Sequence, residues 1–179
     1  ADAAEQLFAE IDYTGKVAVI VHNSLTQTGQ ERKQAIVDTL ANGYNDKEMQ
    51  FVDIVYLAQE DRTEKEILDE LLERNPDLAG IICTDLMTTE MVIDYSRKLE
   101  EKNFVVAGFD KSEKIISAVE EGTIIGTMSQ DPYGMGYAAI TTAARSIAGQ
   151  EKADHIYSAH QWIDNENLQT KEVQSLLNF

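Results

Sequence analysis

Short runs of β-branched and aliphatic residues alternate with amphipathic segments along most of this chain, and that alternation leaves few folds open. Lys16–His22 places Val17, Val19, Ile20 and Val21 in one β-rich run. From Thr28 to Asn42, Ile36, Val37 and Leu40 share a helical face, and Gly43 supplies the stop. Phe51–Leu57 reads as the next strand. Thr63-Glu64-Lys65-Glu66 has capping-box spacing ahead of the stripe Ile67, Leu68, Leu71 and Leu72, and Asn75-Pro76 ends that helix. Leu78–Thr84 is bounded like a fully buried strand, and a helix over Thr88–Lys102 turns Met91, Val92, Tyr95 and Leu99 inward. Asn103–Phe109 is a strand, Ser112–Glu121 a helix capped by Ser112 and closed by Gly122, and Thr123–Ser129 a further strand. Asp131 can cap a helix that starts at Pro132 and runs to Gly149. Crossovers long enough for a helix predict an α/β fold: a three-layer α-β-α arrangement with a mostly parallel sheet covered on both faces.

The ends behave differently. Residues 1–10 make only about two helical turns, with no preceding strand to cover. The tail from His155 runs through Ile156-Tyr157 and Trp162-Ile163 into a short amphipathic segment ending at Phe179. Both ends look like parts of something larger than one α/β unit.

Charge removes several classes of function. With 15 basic against 32 acidic residues the net charge is −17, so nucleic acid and anionic membranes are not direct partners. No apolar run approaches the ~20 residues that span a bilayer, and the N-terminus, Ala-Asp-Ala-Ala-Glu-Gln-Leu, shows no signal peptide. Cys83 is the single cysteine, so no internal disulfide forms; at the end of an apolar strand it reads as a buried inert thiol rather than a nucleophile.

Chemistry concentrates at two strand ends. Val105-Val106-Ala107-Gly108-Phe109-Asp110 closes an apolar strand with an aromatic and a carboxylate, and Ser129-Gln130-Asp131-Pro132 closes the next with an amide before a helix start. Open α/β sheets bind small ligands at this carboxyl edge. A ring face beside hydrogen-bonding groups suits a polyhydroxylated ligand. The competing reading of Asp110 is a helix cap near Ser112. A phospho-acceptor aspartate needs an early acidic pair to hold magnesium, whereas the first strand ends Val21-His22-Asn23. Gly134-Met135-Gly136 lies within a helix rather than in a strand-to-helix turn, so it is no phosphate loop. No hydrolase elbow or zinc motif is present. His22, His155 and His160 are too scattered for a metal site or a triad, so no metal and no cofactor is implied.

The order of motifs resembles the type I periplasmic binding protein superfamily, ribose-binding-like sugar receptors above all. The pieces are Gly15-Lys16-Val17-Ala18-Val19-Ile20, Gln30-Glu31-Arg32, Asn75-Pro76-Asp77-Leu78-Ala79-Gly80-Ile81-Ile82, Val106-Ala107-Gly108-Phe109-Asp110, Gln130-Asp131-Pro132-Tyr133-Gly134-Met135-Gly136 and Ile163-Asp164-Asn165-Glu166-Asn167. The resemblance implies two α/β lobes that close on a ligand, the second lobe being incomplete in this chain. It makes residues 1–13 a remnant helix of the N-terminal lobe and 14–129 the C-terminal ligand-binding lobe. Residues 130–166 become hinge crossings with a helix belonging to the N-terminal lobe, and 167–179 a segment returning to the C-terminal lobe.

By the same resemblance, ligand contacts come from Asp110, Gln130 and Phe109, and from Asn23, Gln30, Thr84 and Glu60. Asp110 would accept from hydroxyls, Gln130 would donate and accept, and Phe109 would cover a sugar face. Ribose-type receptors carry arginine at the position of Gln30, an aromatic near Glu60 and asparagine at Thr84. These departures argue against ribose itself. Arg32, two residues beyond Gln30, either substitutes for that arginine or faces solvent.

The implied function is non-enzymatic binding of a monosaccharide or polyol outside the cytoplasm, for a membrane transporter permease of the ABC type or a sensor. The alternative is the effector domain of a LacI-type transcriptional regulator. An α/β enzyme lacks any nucleophile or base constellation. Bare inter-lobe surface also leads to an expected homodimer of this chain.

Overall fold

The alternation folds as a doubly wound sheet. The computed structural model describes residues 1–43, 48–58, 61–150, 156 and 158–177. Its elements are α1 (Asp2–Glu10), β1 (Gly15–Val21), α2 (Gln27–Gly43), β2 (Met49–Tyr56), α3 (Glu64–Arg74), β3 (Leu78–Cys83), α4 (Leu86–Ser96), β4 (Val105–Phe109), α5 (Glu113–Glu120), β5 (Gly126–Gln130), α6 (Pro132–Ile147), β6 (His160–Ile163) and α7 (Lys171–Leu177). The six strands lie in the order β2-β1-β3-β4-β5-β6. All neighbours are parallel except β6, which runs antiparallel to β5 and pairs Gln130 with His160.

Strand alternation divides the core. Val17, Val19 and Val21 turn toward α1 and α2, while Ala18 and Ile20 turn toward α3, α4 and α5. The helix after β1 and the helix after β3 therefore lie on opposite faces. That makes the carboxyl ends of β1 and β3 the switch point where such sheets open a crevice.

Helix ends follow the local chemistry. Thr63 and Glu66 form the expected capping box on α3, Ser112 caps α5 through the Ile115 amide, and Asp131 caps α6 with Pro132 at its first position. The α4 helix starts at Leu86, earlier than Thr88, because Asp85 accepts from the Thr88 amide at 2.9 Å and closes a capping box. It stops at Ser96, well before Lys102, since the amides of Lys98 and Leu99 turn back to Tyr95 and Ser96. Likewise β5 begins at Gly126, because Thr123 and Ile124 both donate to the Ala118 carbonyl at the end of α5.

The helix in residues 1–13, expected as a remnant of another lobe, packs on this sheet. Leu7 and Phe8 are fully buried against Val17, Val19, Ile82 and Ala107, so α1 is a layer of this sheet. Each such burial contributes roughly 1.5–3 kcal/mol. Gly80 permits the approach: a Cβ there would stand 2.6 Å from Leu7 Cδ2. Cys83 is wholly buried, and burial pushes its thiol far above the ordinary range, as an inert core residue requires. At the other end, Val173 of α7 and Leu168 pack with Ile163 and Ile116.

In contrast, α6 buries none of its residues. Tyr133, Tyr137, Ile140 and Ile147 stand 83%, 65%, 73% and 89% exposed along it. No helix among the described residues is long and apolar enough to cross a membrane.

Candidate ligand-binding site

Arg32 organises the carboxyl edge of the sheet. The first turns of α2 carry it over the ends of β3, β4 and β5. Its Nη1 donates to the Thr84 carbonyl at 2.7 Å and its Nη2 to Gln130 Oε1 at 3.1 Å. The guanidinium lies 3.8 Å from the centroid of the Phe109 ring. A planar fork that stacks and donates in two directions is a task lysine cannot perform. Of the two readings of Arg32, the solvent-facing one does not hold, since the guanidinium is engaged by Thr84, Gln130 and Phe109.

Asp110 is fixed just as firmly. It has a left-handed φ of 67°, a conformation that L-residues other than Asn and Asp seldom adopt. Its amide donates to Met128 O at 2.8 Å, and its carbonyl accepts from Thr127 Oγ1 at 2.7 Å. The carboxylate accepts from the Leu86 amide at 3.1 Å, at the start of α4 rather than near Ser112, which overturns the capping alternative for α5. Burial raises the Asp110 pKa above its ordinary value, while the Arg32 charge and the Leu86 amide oppose the rise. A carboxylate held in a sparsely populated backbone conformation beside a half-buried cation is organised to accept hydrogen bonds.

Two recesses flank the Arg32 side chain. One, of about 210 Å³, is lined by His22, Thr26, Gly29, Asp85, Met87 and Asp110. The other, of about 370 Å³, includes Phe109, Met128, Gln130 and the first residues of α1. A groove of about 310 Å³ between Leu68, Met91 and Tyr95 opens between α3 and α4 and holds none of these strand-end groups. Arg32, Phe109, Asp110 and Gln130 thus come together at one site.

The side chains of Asn23, Gln30 and Thr84 are engaged elsewhere. Asn23 accepts from the amides of Leu25 and Thr26 at 2.8 and 3.1 Å, closing the loop into α2. Gln30 turns to Tyr56 and Lys33, away from both recesses. Thr84 is fully buried, and its hydroxyl donates to the Ile20 carbonyl at 3.1 Å. Its backbone carbonyl, not its side chain, serves the site. Glu60 lies outside the described residues. Local motifs assign no binding role to His22, Thr26 or Asp85, which line the smaller recess; their positions past β1 and β3, at the switch point, are the signal for them.

Three chain segments meet beside Gln130. His160 Nε2 contacts Asp2 Oδ2 at 2.8 Å, and this hydrogen bond lowers the Asp2 pKa. The Asp131 amide donates to Ala159 O at 3.2 Å. The start of α1, the exit from β5 and the entry to β6 therefore share one edge.

Residues 1–151 match the sequence pattern of the family described as "Periplasmic binding protein domain". The chain belongs to that family. This periplasmic binding protein domain is similar in fold to a carbohydrate transporter solute-binding protein from Agrobacterium radiobacter in complex with D-arabinose, at 24% identity and a TM-score of 0.86; the match covers 99% of this chain and 61% of that one. A glucose-galactose binding protein from Geobacillus stearothermophilus superposes with a TM-score of 0.83 at 23% identity, over 93% of this chain and 59% of that one. A solute-binding protein from Agrobacterium vitis bound with α-D-tagatopyranose gives 0.82 at 20% identity, over 98% and 58%. The periplasmic binding protein domain described here thus spans about three fifths of the length of these solved relatives, 61% for the first. No curated protein matches it in sequence.

Proposed function

We propose that this chain is the greater part of an extracytoplasmic sugar receptor that binds a monosaccharide or related polyol without chemical conversion. The observation that carries the reading is the convergence of Arg32, Asp110 and Gln130 at the sheet's carboxyl edge, beside the Phe109 ring. Fork-shaped donors, an ionisable acceptor and an amide that does both match the alternating demands of sugar hydroxyls.

Residues 14–129, with α1, supply one wall of the cleft. Residues 130–166 cross the hinge and carry α6 to the other lobe, and residues from 167 return. That arrangement explains why α6 has a solvent-exposed apolar face: the rest of the receptor covers it. In the isolated chain the same face is where a homodimer would form. Lobe closure on the ligand would present the loaded receptor to a membrane permease of the ABC type or to a sensor. An effector domain of a LacI-type regulator would share this core. The solved relatives described above are transport and sugar-binding proteins, which favours the receptor.

Calorimetry of the full-length protein against D-arabinose, D-tagatose, D-glucose, D-galactose and simple polyols tests the proposal. Saturable binding of one of them is expected, with the 179-residue chain alone binding much more weakly. Absence of binding across the panel, or turnover of any sugar, would overturn it.

A further inference from the structure

The recess beside Arg32 holds a histidine that the contacts described so far leave without a role. His22 follows the last residue of β1, and its carbonyl accepts from the Ala58 amide at 2.7 Å, so its backbone still belongs to the sheet edge. Strand alternation puts it on the side of Ile20, facing the start of α4. There it shares the recess of about 210 Å³ with Arg32, Asp85, Leu86, Met87 and Asp110. Its Nδ1 is buried and has no hydrogen-bond partner among the described residues. Buried polar atoms in folded proteins are nearly always paired, and an unpaired one at a cleft wall calls for an explanation. Packing alone would be served better by a leucine or a phenylalanine.

We propose that His22 is a specificity-determining residue that exchanges a hydrogen bond with one hydroxyl of the bound sugar. The inference rests on the sugar-receptor reading and extends it to a residue outside the Arg32–Asp110–Gln130 cluster. A half-turn about χ2 swaps Nδ1 with Cδ2, a torsion with broad, roughly two-fold wells, so the nitrogen can change sides of the ring without backbone movement. Leu86 and Met87 form the facing wall, 38% and 48% exposed. The recess therefore offers one polar contact opposite an apolar surface. A ligand position bearing a hydroxyl toward His22 and C–H groups toward Leu86 and Met87 fits; a deoxy centre at that position leaves the imidazole unpaired.

The test uses the full-length receptor, its tightest-binding sugar from the panel above and the monodeoxy analogues of that sugar. His22→Ala is expected to weaken the parent sugar by about 3- to 10-fold, the worth of one neutral hydrogen bond. His22→Asn, whose amide nitrogen occupies the place of Nδ1, is expected to recover most of that loss. One monodeoxy analogue should bind wild type and His22→Ala equally, while the others keep the difference. Equal affinity of wild type and His22→Ala for every sugar would overturn the proposal. So would a uniform loss across all analogues with a lowered melting temperature, which marks a packing role. A wild-type receptor that binds no sugar overturns the sugar reading and this inference with it; a receptor that binds but ignores the His22 substitutions overturns only the inference.

Discussion

The Arg32 guanidinium stacks 3.8 Å from the centroid of the Phe109 ring, so one face of the aromatic expected to cover a sugar carries a cation. The stack and the bonds to the Thr84 carbonyl and Gln130 amide hold the fork in place before any ligand arrives. Preorganisation of this kind lowers the entropy cost of binding.

Arg32→Lys in the full-length receptor is therefore expected to weaken sugar binding by roughly 10- to 100-fold, comparable to Arg32→Ala, because an ammonium can neither stack nor bridge. Calorimetry against the preferred sugar measures it. Retention of wild-type affinity in Arg32→Lys would show that only the charge matters.

Asp110 sets function against stability. Its folded-state pKa is raised by burial, so its contribution to stability is fully present below the ordinary Asp value and is lost as pH rises through the raised value. Asp110→Asn keeps the left-handed backbone and an acceptor for the Leu86 amide while removing the buried charge. It is expected to melt at a higher temperature than wild type at pH 7, with the gain shrinking as pH falls through the carboxylate range. Sugar affinity should drop on the order of tenfold or more. Thermal melts from pH 3 to pH 7 and a binding titration check both halves.

Thr84 tests whether a buried hydroxyl is structural. The Ile20 carbonyl accepts from both the Thr84 hydroxyl and the Thr84 amide, each at 3.1 Å. Thr84→Val is expected to cost about 1 kcal/mol of stability in urea unfolding. Sugar affinity should change little, since Arg32 bonds to the backbone carbonyl. A large loss of affinity without loss of stability would return Thr84 to the binding set.

Gly126 faces Trp162 at the β5–β6 pair. A Cβ there would meet the indole at 2.4 Å and the Ile163 carbonyl at 2.6 Å. Gly126→Ala is expected to destabilise by about 1–3 kcal/mol through overpacking, read from the urea midpoint. Unchanged stability would mean that β6 shifts freely against β5.

The exposed apolar side of α6 predicts different solution behaviour for the two forms of the protein. Light scattering should show concentration-dependent association of the isolated chain. Replacing Tyr137 and Ile140 by Ser should reduce it, and the full-length receptor should show none through this face. A monomeric isolated chain at high concentration would count against the dimer.

Several levels of this protein were legible in the residues alone. Periodicity set the succession of strands and helices, and local side-chain chemistry set the caps at Thr63, Ser112 and Asp131. These signals act over a few residues, so the chain order carries them in full. The strand ends at Asp110 and Gln130 were visible for the same reason: apolar runs stop where polar groups begin. What only the tertiary structure decided was which polar groups converge. Gln30 and Arg32 differ by less than one helical turn, yet the rotation of α2 on the sheet sends Arg32 over Phe109 and Gln30 toward Tyr56. The place of α1 depended on Leu7 finding the space left by Gly80, far along the chain. His22 gave no motif at all; its meaning comes from the switch point between β1 and β3, where strand order, which no local pattern encodes, brings it beside Asp110.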